Sequence, residues 1–453
     1  MSELRNLAAK LAACDAGSLP DHVLRTARLC LLDTLGCGLY GSTLPEGQQV
    51  LAALGQLAPG NIPVWGGPVL LSRSDCALAL GTLCHLRELD DVHYSITHPG
   101  AVVIPAAYAA AWGQEKTLAA ILMAVVCGYE AMVRIAKGCG YLAHRRRGWH
   151  ATATLGAFGA AAACGKLLGL DEQTMIWALG IAGSRTGGTW AFKADGAMTK
   201  RLHPGLAARD GVTAGYLARA GITGPEYVLE AEDGGFFRVA CEDWSLAELV
   251  RNWGQDWAVS EVEFKWYAAC KAVHAPLEAA MNIFGRARYK TADIVAVNVG
   301  VNSSAQSMAS GLYRRDSVAS AQLSIPYGVA LGLSGRQGGA QDFELQTIDD
   351  DWLFALAGKV QVYVSPQMEE IRQQQRKSAA QIEVVYRDGS SECEEVRDAK
   401  GHLGNPLTER MIKDKFLSLA DGALGEEQAR AVCARVLDGS LTMPVEQIFA
   451  VPD

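Results

Sequence analysis

The chain has 453 residues, 49% apolar and 20% charged, with 41 Lys and Arg against 49 Asp and Glu for a net charge of −8. That length exceeds one ordinary hydrophobic core, so two domains are expected, and the balance is that of a globular chain rather than a disordered one. The acidic charge leaves no footprint for nucleic acid, because Arg145-Arg146-Arg147, the one notable basic run, is too short to make a patch. The 12 cysteines are scattered without a CxxC pair or zinc-finger spacing, and read as free thiols in a reducing compartment.

Met1 to Leu7 lacks a basic segment followed by an apolar one, so no signal peptide is expected. Leu24, Leu31, Leu32, Leu35 and Leu39 recur at helical spacing after Pro20-Asp21, a helix start. Residues 101–137, 151–169, 172–183 and 205–220 are rich in Ala, Leu, Met and Gly, the texture of closely approaching helices, and Gly165, Gly169, Gly221, Gly224 and Pro225 punctuate them. The apolar runs 101–112 and 118–127 are split by Gly113-Gln114-Glu115-Lys116, and each is too short to cross a bilayer. A soluble, cytoplasmic protein is therefore expected, with no membrane partner.

The texture changes after about residue 265. Ile294–Val301, Lys359–Ser365 and Gln381–Tyr386 alternate as strands, and the last runs into Arg387-Asp388-Gly389, a hairpin signal. Helical stretches at 275–286 and 318–333 accompany them, which gives an α+β domain. After Gly404-Asn405-Pro406 the pattern is helical again through about 438. The expected organisation is an all-helical domain over 1–264, an α+β domain over 265–400, and a helical segment over 401–453 that returns to the first domain.

Chemistry concentrates in Glu88-Leu89-Asp90-Asp91-Val92-His93-Tyr94-Ser95-Ile96-Thr97-His98-Pro99-Gly100, which precedes an apolar helix. Acids and imidazoles this dense against a buried helix suggest an acid–base site, and no cofactor signature competes with that reading. His150 stands just before the small-residue helix 151–164, where the helix dipole favours a neutral imidazole. Lys200 and His203 are three apart and share a helical face.

Several motifs in order resemble the MmgE/PrpD family: Leu31-Leu32-Asp33-Thr34-Leu35-Gly36, Glu88-Leu89-Asp90-Asp91 with Thr97-His98-Pro99, and Gly148-Trp149-His150. Met198-Thr199-Lys200-Arg201-Leu202-His203-Pro204-Gly205, the Lys265 to His274 segment, Ser324-Ile325-Pro326-Tyr327 and Asn405-Pro406-Leu407-Thr408 complete the series. The resemblance implies a large helical domain, a smaller α+β domain, a cleft between them, a homodimer, and no metal or organic cofactor.

It also implies a lyase acting on a small di- or tricarboxylate. The leading expectation is dehydration of the 2-methylcitrate type, by proton abstraction next to a carboxylate and loss of water. Epimerisation of the iminodisuccinate type and decarboxylation of the cis-aconitate type are the alternatives in the same pocket, and a non-catalytic carboxylate-binding protein is the alternative of another class. His98, His150, Lys200, Asp91 and His274 are the catalytic candidates, with Asp90 a lesser one. Lys265, His203, Arg147, Tyr141 and Tyr327 are the candidates for binding substrate. The sequence departs from many relatives where Glu88 opens the usual Asp-Phe-Asp-Asp run, at His93-Tyr94 and at Cys270-Lys271-Ala272.

Overall fold

Small residues decide how the helices of the larger domain approach one another. In the computed structural model, which describes residues 2–15, 17, 19–286 and 290–449, the helix Thr199–Arg219 packs against Arg73–His85 and Ala151–Leu168. The first crossing is at Gly81 and Gly205, where a Cβ on Gly81 would stand 2.7 Å from the Gly205 Cα. A side chain at either position would force the helices apart, and the close approach carries Lys200 and Arg201 to the end of Arg73–His85. Gly100–Ala111 and Leu118–Gly138 complete this core around Ala151–Leu168.

Leu118–Gly138 and Ala151–Leu168 are long and apolar enough to cross a membrane, and both lie inside the bundle. The first is longer than its apolar run suggests, because the helix continues through Glu130 and Arg134, which pair with each other in the interior. The cysteines are free thiols, buried except for Cys14, Cys270 and Cys393.

Two short pairings interrupt the helical domain where the sequence pattern showed only helix. Pro59–Pro63 pairs with Leu70–Leu71, and Val92–His93 pairs antiparallel with Val262–Glu263. Strands of two residues are too short to leave a period-2 signal. The second pairing matters most, because it fixes the stretch after Glu88 beside the segment that enters the smaller domain.

That smaller domain holds a four-stranded sheet in the order Val360–Val364, Ile294–Val301, Ala380–Tyr386, Ser391–Val396. The first pair is parallel and the others antiparallel. Ala380–Tyr386 alternates buried and half-buried residues, and Lys271–Arg286 packs on that strand and on Ser391–Val396. The expected helix over 318–333 is two helices, Val318–Gln322 and Ile325–Leu333, the second capped by Ser324 with Pro326 in its first turn.

After the sheet, Glu409–Leu424 packs on Asp21–Thr43 of the larger domain. Lys415 reaches Asp33 at 2.7 Å and the Leu89 carbonyl at 2.6 Å, so this segment braces the Glu88–Gly100 stretch from behind. Residues 450–453 of the expected C-terminal segment lie outside the described residues.

The Gly81–Gly205 crossing makes a direct prediction. Gly205→Ala puts a methyl group against the Leu78 carbonyl and Thr82. Chemical denaturation is expected to show a loss of about 1–3 kcal/mol, the range for overpacking a dense core.

Candidate active site

Glu88 is the hub of the site. Its backbone adopts φ +53°, a left-handed conformation that costs a non-glycine residue about 1–2 kcal/mol. The conformation aims its carboxylate into a buried cluster of cations. One oxygen contacts Lys200 and Arg201, and the other accepts from Lys265 Nζ at 2.7 Å. Arg201 also donates to Gln322 at 2.6 Å, and Gln322 donates to the Ala268 carbonyl at 2.8 Å, so the hub joins the two domains.

Burial, with Arg201 and Lys265 nearby, drives the Lys200 ammonium well below its ordinary pKa. The Glu88 carboxylate in contact opposes that shift. Burial likewise lowers the Arg201 guanidinium to about 10.

Two imidazole pairs stand beside this hub. His85 Nδ1 lies 2.9 Å from Asp90, and His98 Nδ1 lies 3.2 Å from the same carboxylate and 2.9 Å from the Asp91 carbonyl. These acceptors fix the proton of His98 on Nδ1 and leave Nε2 as its free base. The His85 and His98 rings meet edge to face at 4.6 Å. Burial would raise Asp90, yet His85, His98 and Lys265 hold its carboxyl well below the usual range. Burial also pushes His85 well below its ordinary value.

In the second pair, His150 Nδ1 is 2.8 Å from His203 Nδ1, so one of the two nitrogens carries the shared proton. Burial lowers both imidazoles, His203 to about 4 and His150 well below its ordinary value. Trp190 and Phe192 close on the His150 ring at 5.1 and 5.6 Å.

His98, His150 and Lys200 line one cavity between the domains, with about 770 Å³ of empty space counted through its open mouth. Val92, Ile96, Trp190 and Met308 supply apolar wall, and Cys270, Lys271, Arg372, Arg376 and His402 face the same space from the smaller domain. Lys271 pairs with Glu263 at 2.7 Å, whose other oxygen is 3.2 Å from His402.

Residues 5–248 match the MmgE/PrpD N-terminal domain, and residues 267–439 the MmgE/PrpD C-terminal domain. The chain belongs to the MmgE/PrpD family. A cis-aconitate decarboxylase of Aspergillus terreus is 31% identical over 461 residues, covering 95% of this chain and 91% of that protein. Human cis-aconitate decarboxylase is 30% identical over 276 residues, covering 59% of this chain and 56% of that protein. A 2-methylcitrate dehydratase of Cupriavidus necator is 24% identical over 364 residues, covering 75% of this chain and 73% of that protein.

Within this MmgE/PrpD chain, the other candidates from the sequence fall at different depths. Lys265 and His203 sit directly behind the cavity wall, on Glu88 and His150. Asp91 is buried away from the cavity. Its carboxylate accepts from the Gly100 amide at 2.8 Å and from Tyr129 at 2.6 Å, so it caps the helix that follows His98. Burial raises this carboxyl to about 7 against those two donors.

His274 is also outside the cavity. The helix Lys271–Arg286 presents Lys271 and Ala272 to the cleft, whereas the His274 ring turns inward against Tyr267 and bonds the Ala269 carbonyl at 3.0 Å. Tyr327 donates to the Asp342 carbonyl at 2.5 Å and packs on Tyr313 and Phe343, so it belongs to the core of the smaller domain.

Arg147 is exposed at the end of the short helix Tyr141–Arg146. Its neighbour Arg145 is the member of the triple that reaches the site, with its guanidinium 3.8 Å above the Trp190 ring. Tyr141 stacks edge-on against Tyr94 at 6.0 Å, outside the cavity lining. His85, Arg201 and Asp90 also belong to the site. His85 ends its helix, and the turn through residues 88–98 brings Asp90 and the His98 ring onto it.

His85, Glu88 and His98 also bring ligand-type atoms within 4.8 Å of one another. Lys200, Arg201 and Lys265 already surround Glu88, so a divalent cation entering there would meet three positive charges.

Glu88→Gln leaves those three buried cations without their carboxylate. It is expected to lower stability by about 3–5 kcal/mol in urea unfolding, with Glu88→Asp intermediate. A second check uses pH. An unfolded histidine titrates near its ordinary value of about 6.5, and His203 in the fold only near 4. The unfolded state therefore binds more protons between these values, and His203 weakens the fold as pH falls through that window. The stability difference between wild type and His203→Asn is expected to stay flat above about 6.5 and to move against wild type on acidification toward about 4.

Proposed function

We propose that this protein is a lyase that breaks a bond next to a carboxylate in a small polycarboxylic acid, within the cavity between its domains. The observation that carries the reading is the convergence of His98, His150 and Lys200 on one solvent-connected space. The Lys200 ammonium meets the substrate carboxylate and stabilises negative charge as it develops on the adjacent carbon. His98 Nε2, oriented through Nδ1 by Asp90 and the Asp91 carbonyl, moves a proton at that carbon. The apolar wall of Val92, Ile96, Trp190 and Met308 lowers the local dielectric and strengthens the lysine–carboxylate attraction.

Decarboxylation of an unsaturated tricarboxylate is the first reading, supported by the 31% identity with a cis-aconitate decarboxylase along nearly the whole chain. Loss of CO2 leaves its electron pair on the carbon, and a proton delivered through one of the imidazoles quenches it. Dehydration is the second reading, favoured by a specific observation. It needs a base for the C–H proton and a separate acid for the departing hydroxide, and His98 and His150 are two independently held imidazoles in one cavity.

The test is incubation with cis-aconitate, 2-methylcitrate and citrate in D2O, following CO2 release, conjugated-alkene absorbance and deuterium incorporation. CO2 with deuterium in the product marks decarboxylation, and alkene without CO2 marks dehydration. His98→Asn and Lys200→Ala are each expected to reduce turnover roughly a hundredfold or more. Activity is expected to survive exhaustive chelation. A folded protein that produces none of the three signals from any of these acids would sink the lyase reading.

A further inference from the structure

The mouth of the cavity carries positive charge that the inner site does not use. Four lysines and arginines line this space: Lys200, Lys271, Arg372 and Arg376. Lys200 is paired with Glu88 and Lys271 with Glu263. Arg372 and Arg376 make no ion pair among the described residues. Both belong to the end of the helix Pro366–Gln375, with Arg376 as its C-cap at φ +58°. A helix C-terminus favours cations, which supports the placement of two guanidiniums there.

The geometry leaves donor edges free. Arg376 lies 5.0 Å from the Tyr94 ring and donates one Nη1 bond to the Tyr94 hydroxyl at 3.1 Å. Its Nε and Nη2 have no acceptor among the described residues. Arg372 spends one Nη1 bond on the Arg376 carbonyl at 3.3 Å. Asn302, on the same wall, gives its Oδ1 to the Ala305 amide at 2.9 Å and keeps its side-chain NH2 as a donor. A planar guanidinium held over an aromatic ring, with open N–H edges, is suited to a carboxylate.

We infer that Arg372 and Arg376 form an outer carboxylate subsite, which binds the end of the substrate farthest from the reacting carbon. The inference rests on the proposed function and sharpens it. The cavity has an inner anion site at Lys200 and an outer one at the arginines, so it selects an acid with a carboxylate at each end over a monocarboxylate of similar length. Tyr94, from the Glu88–Gly100 stretch, positions Arg376 across the mouth.

The experiment compares binding of two non-reacting probes, glutarate and butyrate, by calorimetry at fixed ionic strength. Wild type is expected to prefer the dicarboxylate by about tenfold or more, the effect of one charge-assisted contact. Arg376→Gln and Arg372→Gln are each expected to bring that ratio toward one, with unfolding midpoints unchanged because neither side chain is in the core. Lys200→Ala is expected to weaken both probes together. If Lys200→Ala weakens both and the arginine variants keep the wild-type ratio, the outer subsite is overturned and the inner site stands. If wild type binds neither probe, or Lys200→Ala affects neither, the proposed function falls and the subsite with it. Equal weakening of both probes by the arginine variants also overturns the subsite, since it reports a general change in cavity potential.

Discussion

The constraint on which this architecture turns is the placement of one carboxylate among three buried cations. Lys200 and Arg201 come from one helix, Lys265 from the segment that enters the smaller domain, and Glu88 from a residue held at positive φ. None of these groups would be stable alone in the interior, because an unpaired buried charge costs several kcal/mol. Together they fix the distance between the two domains, and hence the width of the cavity that both domains line. The left-handed backbone at Glu88 is tolerated because the cations it reaches repay the strain.

The same interaction sets the electrostatics of the chemistry. The cluster retains net positive charge after Glu88 is counted, and burial magnifies it. Asp90 is drawn far toward its ionised form and serves two imidazoles at once. His98 is thereby fixed in one tautomer beside an electrophilic lysine. His150 has no carboxylate partner among the described residues; its proton is shared with another histidine, and its ring is enclosed by aromatic side chains. Two imidazoles in one cavity are therefore differently held, one against a carboxylate and one against another histidine.

Much of this was legible in the sequence, for identifiable reasons. The helical domain announced itself through long runs of small apolar residues, and the strands from 294 to 386 through period-2 alternation. His98, His150 and Lys200 each stand at the start of a helix in a compact motif. Where the reading fell short, the partner came from a distance. Sequence cannot show which of two adjacent carboxylates turns toward the imidazoles, and here Asp90 does while Asp91 caps a helix. His274 sits in a segment that does reach the cleft, but the helical turn that presents Lys271 points His274 into the core. Arg147 lost its place to Arg145 through the same rotation, two residues along one short helix.

Glu88 shows how one side chain can carry through such a site. Its two oxygens divide among three cations, one on Lys200 and Arg201 and the other on Lys265. Of these three cations, Lys200 is the one that also lines the cavity. A polycarboxylate entering this cavity meets fewer free cations at its floor, while Arg372 and Arg376 at the mouth stay unpaired among the described residues. Attraction for a multiply charged acid is thus shifted outward, toward the wall contributed by the smaller domain. Glu88 and Tyr94 are then parts of one arrangement: the first offsets part of the positive charge at the floor, and the second holds a guanidinium over the entrance.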